Sequence, residues 1–144
     1  MSEVESGGTR RGLEFLAAAL HQAAALTLRG AVAAAEGSAR TTTLFKDRSG
    51  ATRSSIRSEV YGLAGELSVG GAGHFIEWGT APHLIVAHGE TLRFEVAGQA
   101  LYRKMVRHPG TKERPFMREA RDRGEIAAIY GAEVYVGAAI RGAR

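Results

Sequence analysis

The chain has 144 residues, no cysteine and a formal net charge of +4. This length fits one compact domain that can bury roughly 68–70% of its unfolded surface without disulfide bonds. The lack of cysteine excludes disulfides, thiol catalysis and zinc–thiolate sites. The modest basic excess, mostly arginine, permits contact with nucleic acid but does not require it.

An N-terminal helix is predicted after a short polar tail. Residues 1–9 are expected to form a flexible tail outside a single domain over residues 10–144. From Arg10 to about Glu36, apolar or small residues recur at spacings of three and four, which places them on one helix face. The residues of this face are Leu13, Leu16, Leu20, Ala24, Thr27 and Ala31. Gly37-Ser38 is the predicted end of the helix.

The N-terminal segment also indicates whether the protein is secreted or inserted in a membrane. A secretory signal begins with positive charge and continues into an apolar run, whereas this N-terminus carries Glu3 and Glu5. The apolar stretch Leu13–Ala35 is interrupted by polar residues such as His21 and Arg29. We therefore consider it too polar for a membrane span and expect a soluble protein.

The middle of the chain is predicted to hold a long loop followed by short strands and one short helix. Residues 38–55 are polar and rich in turn formers, which favours a loop. The segments 56–63 and 66–69, joined by Ala64-Gly65, predict a hairpin. A short helix is predicted over 72–78, and an antiparallel meander over 84–87, 92–97 and 100–106.

A second long helix is predicted near the C-terminus. Pro115 suits the first position of a helix, since the amide hydrogen that it lacks would be unpaired there. The helix should continue to at least Ile129, and beyond Gly131 both helix and strand remain open. The predicted fold is α+β: a long N-terminal helix, a central mostly antiparallel β-sheet with a short inserted helix, and a C-terminal helix packed on the sheet.

No motif for catalysis or cofactor binding is recognised. The possible metal ligands have no known ligand spacing; they are His74, Glu77, His83, His88 and His108. There is no Gly-x-Ser-x-Gly elbow and no Gly-x-x-x-x-Gly-Lys phosphate loop. We therefore predict no enzyme, no metal site and no cofactor.

A basic cluster lies near the start of the C-terminal helix. Its members are Arg103, Lys104, Arg107, Lys112, Arg114, Arg118, Arg121 and Arg123. Arg114, Arg118 and Arg121 would share one face of a helix that begins at Pro115. The cluster is either a surface for phosphate or an acidic partner, or a solvated helix face with ion pairs such as Asp122–Arg118.

Five segments carry a resemblance to a known family. They are Phe75-Ile76-Glu77-Trp78-Gly79-Thr80, Ala81-Pro82-His83, Leu92-Arg93-Phe94, Val106-Arg107-His108-Pro109-Gly110-Thr111 and Arg114-Pro115-Phe116-Met117-Arg118-Glu119-Ala120. In order and spacing they resemble the minor virion proteins at the head–tail junction of long-tailed bacteriophages. In that family a Glu-aromatic-Gly-Thr motif precedes a helix that starts with Pro-Phe. The resemblance covers about residues 10–130.

The resemblance implies a structural subunit that forms a hexameric or dodecameric ring, made in the host cytoplasm and located at the virion neck. The ring would complete the tail or join it to the head connector. Its partners would be further copies, the head-connector protein, the tail-tube or tail-terminator protein, and the double-stranded DNA that passes through; no membrane is involved. Without the resemblance, the residues also allow a second function: a non-specific nucleic-acid-binding protein that uses the basic cluster over residues 103–123.

The resemblance and the basic cluster together assign the site residues. Residues expected to contact neighbouring subunits or DNA are Arg103, Lys104, Arg107, Arg114, Arg118 and Arg121. Motif residues expected to be structural are Phe75, Glu77, Trp78, Gly79, Thr80, Pro109, Gly110, Pro115 and Phe116. Trp78 and Phe116 in particular are expected to be buried anchors.

Overall fold

The computed structural model describes residues 2–142, with side chains from residue 8 onward, and its fold is α+β as predicted. In chain order the elements are α1 (Ser2–Thr41), α2 (Ala51–Ser54), β1 (Arg57–Tyr61), β2 (Ala64–Ser68), α3 (Gly73–Trp78), β3 (His83–Val86), β4 (Leu92–Val96), β5 (Gln99–Arg103), β6 (Met105–His108) and α4 (Phe116–Gly142). The chain divides into two compact units, whereas the sequence was interpreted as one domain. The helical unit contains residues up to Gly71 and from Phe116 onward, and the β unit is Ala72–Pro115.

The helical unit is built on the packing of α4 along α1. The two helices are antiparallel, because Gly124 lies against Ala31 and Ala35 while Gly131 lies against Thr27. Small side chains on the facing sides bring the helices together. The buried alanines are Ala23, Ala31, Ala35 and Ala39 on α1 and Ala120 on α4. The C-terminal helix was predicted to pack on the sheet. In the structure α4 packs mainly on α1, and α1 in turn contacts β1 and β2.

Two glycines in these helices should respond to substitution in opposite directions. A Cβ atom at Gly124 would lie 3.0 Å from the carbonyl oxygen of Ala31, whereas one at Gly37 would have nothing within 4 Å. We expect Gly37→Ala to raise the free energy of unfolding by up to about 1 kcal/mol, since alanine is the better helix former. Gly124→Val should lower it by about 1–3 kcal/mol through overpacking. Urea unfolding measures both, and equal stabilisation by the two changes would contradict this packing.

The first helix is longer at both ends than predicted. It starts at Ser2, so the tail expected over residues 1–9 is helical from its second residue. It also continues through Gly37-Ser38 to Thr41. A glycine within a helix costs only about 1 kcal/mol relative to alanine, and the burial of Ala39, which is 0% exposed, offsets that cost.

By length and composition alone, α1 could cross a membrane over Gly8–Thr41. The Leu13–Ala35 part of this segment was expected to be too polar to do so. Most of the segment is exposed in the single chain, and its buried residues lie on the side that faces α4.

An arginine junction closes the C-terminal end of α1, where a long loop was predicted. The Arg40 guanidinium donates to the carbonyl oxygens of Arg53 at 3.0 Å and Ile56 at 2.6 Å. The Arg53 guanidinium donates back to the carbonyl oxygen of Arg40 and to those of Thr42 at 2.7 Å and Phe45 at 3.2 Å. The Arg40 carbonyl lies in the last turn of α1 and the Arg53 carbonyl in α2, where a helix leaves carbonyl groups unpaired. The other acceptors belong to the connecting segments, so the two arginines join the end of α1 to the segment that was predicted to be a loop and that contains α2.

Glu36 belongs to the same junction and should make stability depend on pH. Hydrogen bonds from Ser58 and Arg40 lower the pKa of its carboxyl group below the ordinary value. A carboxyl group with a lowered folded-state pKa stabilises the fold above its unfolded-state pKa, and this contribution is lost as the pH falls through the lowered value.

We therefore expect wild type to lose more stability than Glu36→Gln when the pH falls below about 5. Urea unfolding at a series of pH values measures this. Glu14→Gln is the control, because Glu14 forms only an exposed ion pair with Arg10. Parallel pH profiles for wild type and Glu36→Gln would contradict the assignment.

The predicted central sheet is present as three separate two-stranded antiparallel ribbons: β1–β2, β3–β6 and β4–β5. The predicted β1–β2 hairpin is confirmed, but its turn lies at Gly62-Leu63, where Gly62 has a positive φ of 59°. The strand predicted over 100–106 is interrupted at Lys104 and forms both β5 and β6. As a result β3 pairs with β6, and the β4–β5 hairpin lies between them in the chain.

Candidate assembly surfaces

The two glycine-containing motifs of the β unit meet, although about thirty positions separate them in the chain. Thr80 and Thr111 form an isolated antiparallel bridge, with the amide of each donating to the carbonyl oxygen of the other at 3.0 and 3.1 Å. Gly79 and Gly110 flank this bridge and have positive φ values of 70° and 85°. A Cβ atom on either would overlap backbone atoms of the opposite segment. Gly79, Thr80 and Gly110 were predicted to be structural, and the bridge shows why: the two segments approach so closely that only glycine fits beside each threonine.

The short helix α3 presents its aromatic residues outward. The amide of Arg114 donates to the carbonyl oxygen of Ile76 at 2.8 Å and so caps the end of this helix. Glu77 is buried at 4% exposure, but Phe75 and Trp78 are 57% and 59% exposed. The expectation that Trp78 is a buried anchor is therefore wrong for the single chain. The other predicted anchor, Phe116, is buried in the helical unit at 1% exposure.

The β3–β6 ribbon is apolar and exposed. All four residues of β3 are exposed, including the large apolar side chains of Leu84, Ile85 and Val86. Met105 of β6, which is paired with Val86, is also exposed. A two-stranded ribbon is only marginally stable in water by itself, so these side chains suit a surface that a partner covers.

The basic cluster is divided between the two units. Arg103, Lys104, Arg107 and Arg114 belong to the β unit and are exposed, whereas Arg118 and Arg121 lie on α4. The predicted shared helix face is limited to Arg118 and Arg121, because α4 begins at Phe116, after Arg114. Arg121 pairs with Asp122 at 3.2 Å and with Glu125 at 3.4 Å, and all three side chains are well exposed. At Arg121 the geometry thus matches the solvated helix face, the second of the two interpretations that the sequence left open.

The histidines contribute local structure. His83 and His108 are opposite each other in the β3–β6 register, with ring centroids 5.0 Å apart. The Nδ1 atom of His83 is 2.9 Å from the carbonyl oxygen of Ala81, and that of His108 accepts from the Gly110 amide at 3.1 Å. Among the side chains that the structure describes, residues 8–142, no group of three metal-ligating residues comes together.

Sequence reasoning missed the arginine junction and the apolar surface of the second half of α4. The junction had one local signal, since Arg40 is a basic residue close to a helix C-terminus, where cations are favoured. The α4 surface had none, because helix and strand both remained open beyond Gly131. Comparison with protein-family models, curated proteins and solved structures finds no match to this chain.

Proposed function

We propose that the chain is a structural ring subunit of the head–tail junction of a tailed phage or phage-derived particle. The observation that carries the proposal is the number of large apolar side chains left exposed within each unit. In the helical unit they include Phe15, Tyr61 and Ile129, and in the β unit Leu84, Val86 and Met105. Large apolar and aromatic side chains of this kind are enriched where subunits meet.

The chemistry of that surface also favours assembly. Large apolar side chains are exposed on both units, among them Phe75, Trp78 and Ile85 in the β unit. Exposed apolar patches of this extent are typical of interaction surfaces. Phe75 and Trp78 belong to the motif by which the sequence resembles neck proteins. A subunit that is covered only in its ring explains both their presence and their exposure.

A deletion tests the proposal in the particle itself. A producing strain that lacks the chain should release filled heads and separate tails that do not join, and wild-type chain supplied from a plasmid should restore joined particles. Electron microscopy counts the two populations. If the deleted strain yields joined, infectious particles in normal number, the proposed function is wrong.

One substitution should separate assembly from folding. Phe75→Ser removes an exposed side chain, so we expect the free energy of unfolding to change by no more than about 0.5 kcal/mol, while joining of heads to tails fails. Glu90→Ser, at an exposed turn of the same unit, is the control and should leave both unchanged, whereas His74 is unsuitable because its ring lies 5.8 Å from that of Phe75. Normal joining with Phe75→Ser would remove this face from the proposed interface.

Nucleic-acid binding is distinguished by its response to salt. A ring through which DNA passes has to release it, so we expect at most weak, non-specific binding by the free chain. Each phosphate contact would add about 0.9 to the slope of log affinity against log salt concentration. Tight selection of one DNA sequence at physiological salt would replace the structural proposal with a DNA-binding function.

A further inference from the structure

The outward face of α4 changes from charged to apolar halfway along the helix. Before residue 126 this face carries Glu119, Asp122 and Arg123. After it the exposed apolar residues recur at helical spacing; they are Ile126, Ile129, Tyr130, Val134 and Ile140, between 46% and 66% exposed. Ile126, Ile129 and Ile140 lie on the side away from Gly124 and Gly131, which contact α1, and Tyr130 and Val134 lie toward the edge of that side. The α1 helix of the same chain therefore cannot cover them.

A second apolar line lies on the outward face of α1. Phe15 and Leu26 are 61% and 40% exposed, on the side opposite to Ala31, which packs against α4. The α1–α4 layer thus has apolar outer surfaces on opposite sides, one from each helix. Two different faces on opposite sides are what a head-to-tail contact requires, and repeated contacts of this kind close into a ring when the rotation permits.

The two faces are also complementary in charge. Between Ile126 and Ile140 the only residue with a formal charge at pH 7 is Glu133, and between Phe15 and Ala33 it is Arg29, with His21 counted as neutral. Both are exposed and lie on the outward faces of their helices. An acid within one apolar face and a base within the other favour pairing of unlike faces over pairing of like faces.

We propose that the apolar outward face of α4 docks onto the outward face of α1 of a second copy of this chain, with Glu133 close to Arg29. This contact rests on the proposed function, because it requires that copies of the chain assemble. It adds to that function by identifying a surface through which the copies join.

Charge reversal tests the pairing in solution. Sedimentation velocity of the full-length protein should give multi-copy species for wild type. Glu133→Arg and Arg29→Glu should each raise the dissociation constant about tenfold or more, and the double variant should recover much of the loss. The control is Glu59→Arg, which makes the same charge change as Glu133→Arg at an exposed position of β1. Additive losses in the double variant, or wild-type association of both single variants, would overturn the pairing.

Cross-linking tests the direction of the contact and does not depend on charge. Because the chain has no cysteine, single variants Ile129→Cys and Leu26→Cys can be joined with a short bismaleimide. The proposal predicts efficient cross-links when the two variants are mixed, and few within either variant alone. Cross-links that form mainly within Ile129→Cys would indicate like-to-like pairing and overturn the head-to-tail contact.

Two further outcomes identify other occupants. If wild type floats with phosphatidylcholine vesicles and Ile129→Glu does not, lipid covers this face and the proposal is wrong. If wild type remains a single copy at all concentrations, docking onto a second copy is wrong, and the deletion experiment still decides the proposed function. If Ile129→Glu assembles like wild type, this surface is excluded while the ring proposal stands.

Discussion

Phe116→Ala should lower the free energy of unfolding by about 3–5 kcal/mol, the largest effect expected of any single substitution in this chain. Phe116 is the first residue of α4 and is 1% exposed. Its ring packs on that of Phe45, with centroids 4.8 Å apart and planes inclined at 58°. Removing it leaves a cavity where the start of α4 meets the segment after α1.

Chemical denaturation at a concentration where the chain is a single copy measures this loss. Phe15→Ala is the matched control, because it removes the same side chain from a site on α1 that is 61% exposed. It should change the stability by no more than about 0.5 kcal/mol. Similar losses for the two variants would contradict the packing described for Phe116.

Arg53→Met should lower the free energy of unfolding by about 2–4 kcal/mol. The guanidinium donates to three backbone carbonyl groups, those of Arg40, Thr42 and Phe45, and lies 4.7 Å from the centre of the Phe45 ring. Methionine keeps much of the volume but leaves the carbonyl groups without these donors. The effect should appear as a shift in the denaturation midpoint with little change in slope.

Two comparison variants make the Arg53 prediction specific. Arg48→Met removes an exposed guanidinium and should have an effect of no more than about 0.5 kcal/mol. Arg53→Lys should fall between wild type and Arg53→Met, because an ammonium group cannot reproduce the planar, forked donors of arginine. If Arg53→Met were as stable as wild type, the junction would not stabilise the fold.

The helices and most strands were predictable because their signals are local. Pro115 marks the start of α4, which begins at Phe116. Turn glycines such as Gly98 separate the strands at nearly the predicted places. The end of α1 was not predictable in this way. Gly37 is a local stop signal, but burial of Ala39 and the bonds of Arg40 depend on contacts with distant parts of the chain.

The candidate surfaces were predictable only in part. The sequence indicated that Gly79 and Gly110 have structural roles, but their meeting across the Thr80–Thr111 bridge is a tertiary fact. The size and apolarity of Trp78 suggested burial, yet this side chain is 59% exposed. Hydrophobicity indicates that a residue prefers a dry environment, and it does not specify whether the same chain or a neighbouring copy supplies it.

The position of the chain in a particle tests the central claim most directly. Tailed particles purified from a producing strain, with a gold-binding tag on this chain, can be imaged by electron microscopy. The proposal predicts label at a single ring between head and tail in joined particles, and no label on detached heads or tails that lack the neck. Joined particles that carry no label, or label spread along the tail or over the head, would contradict it.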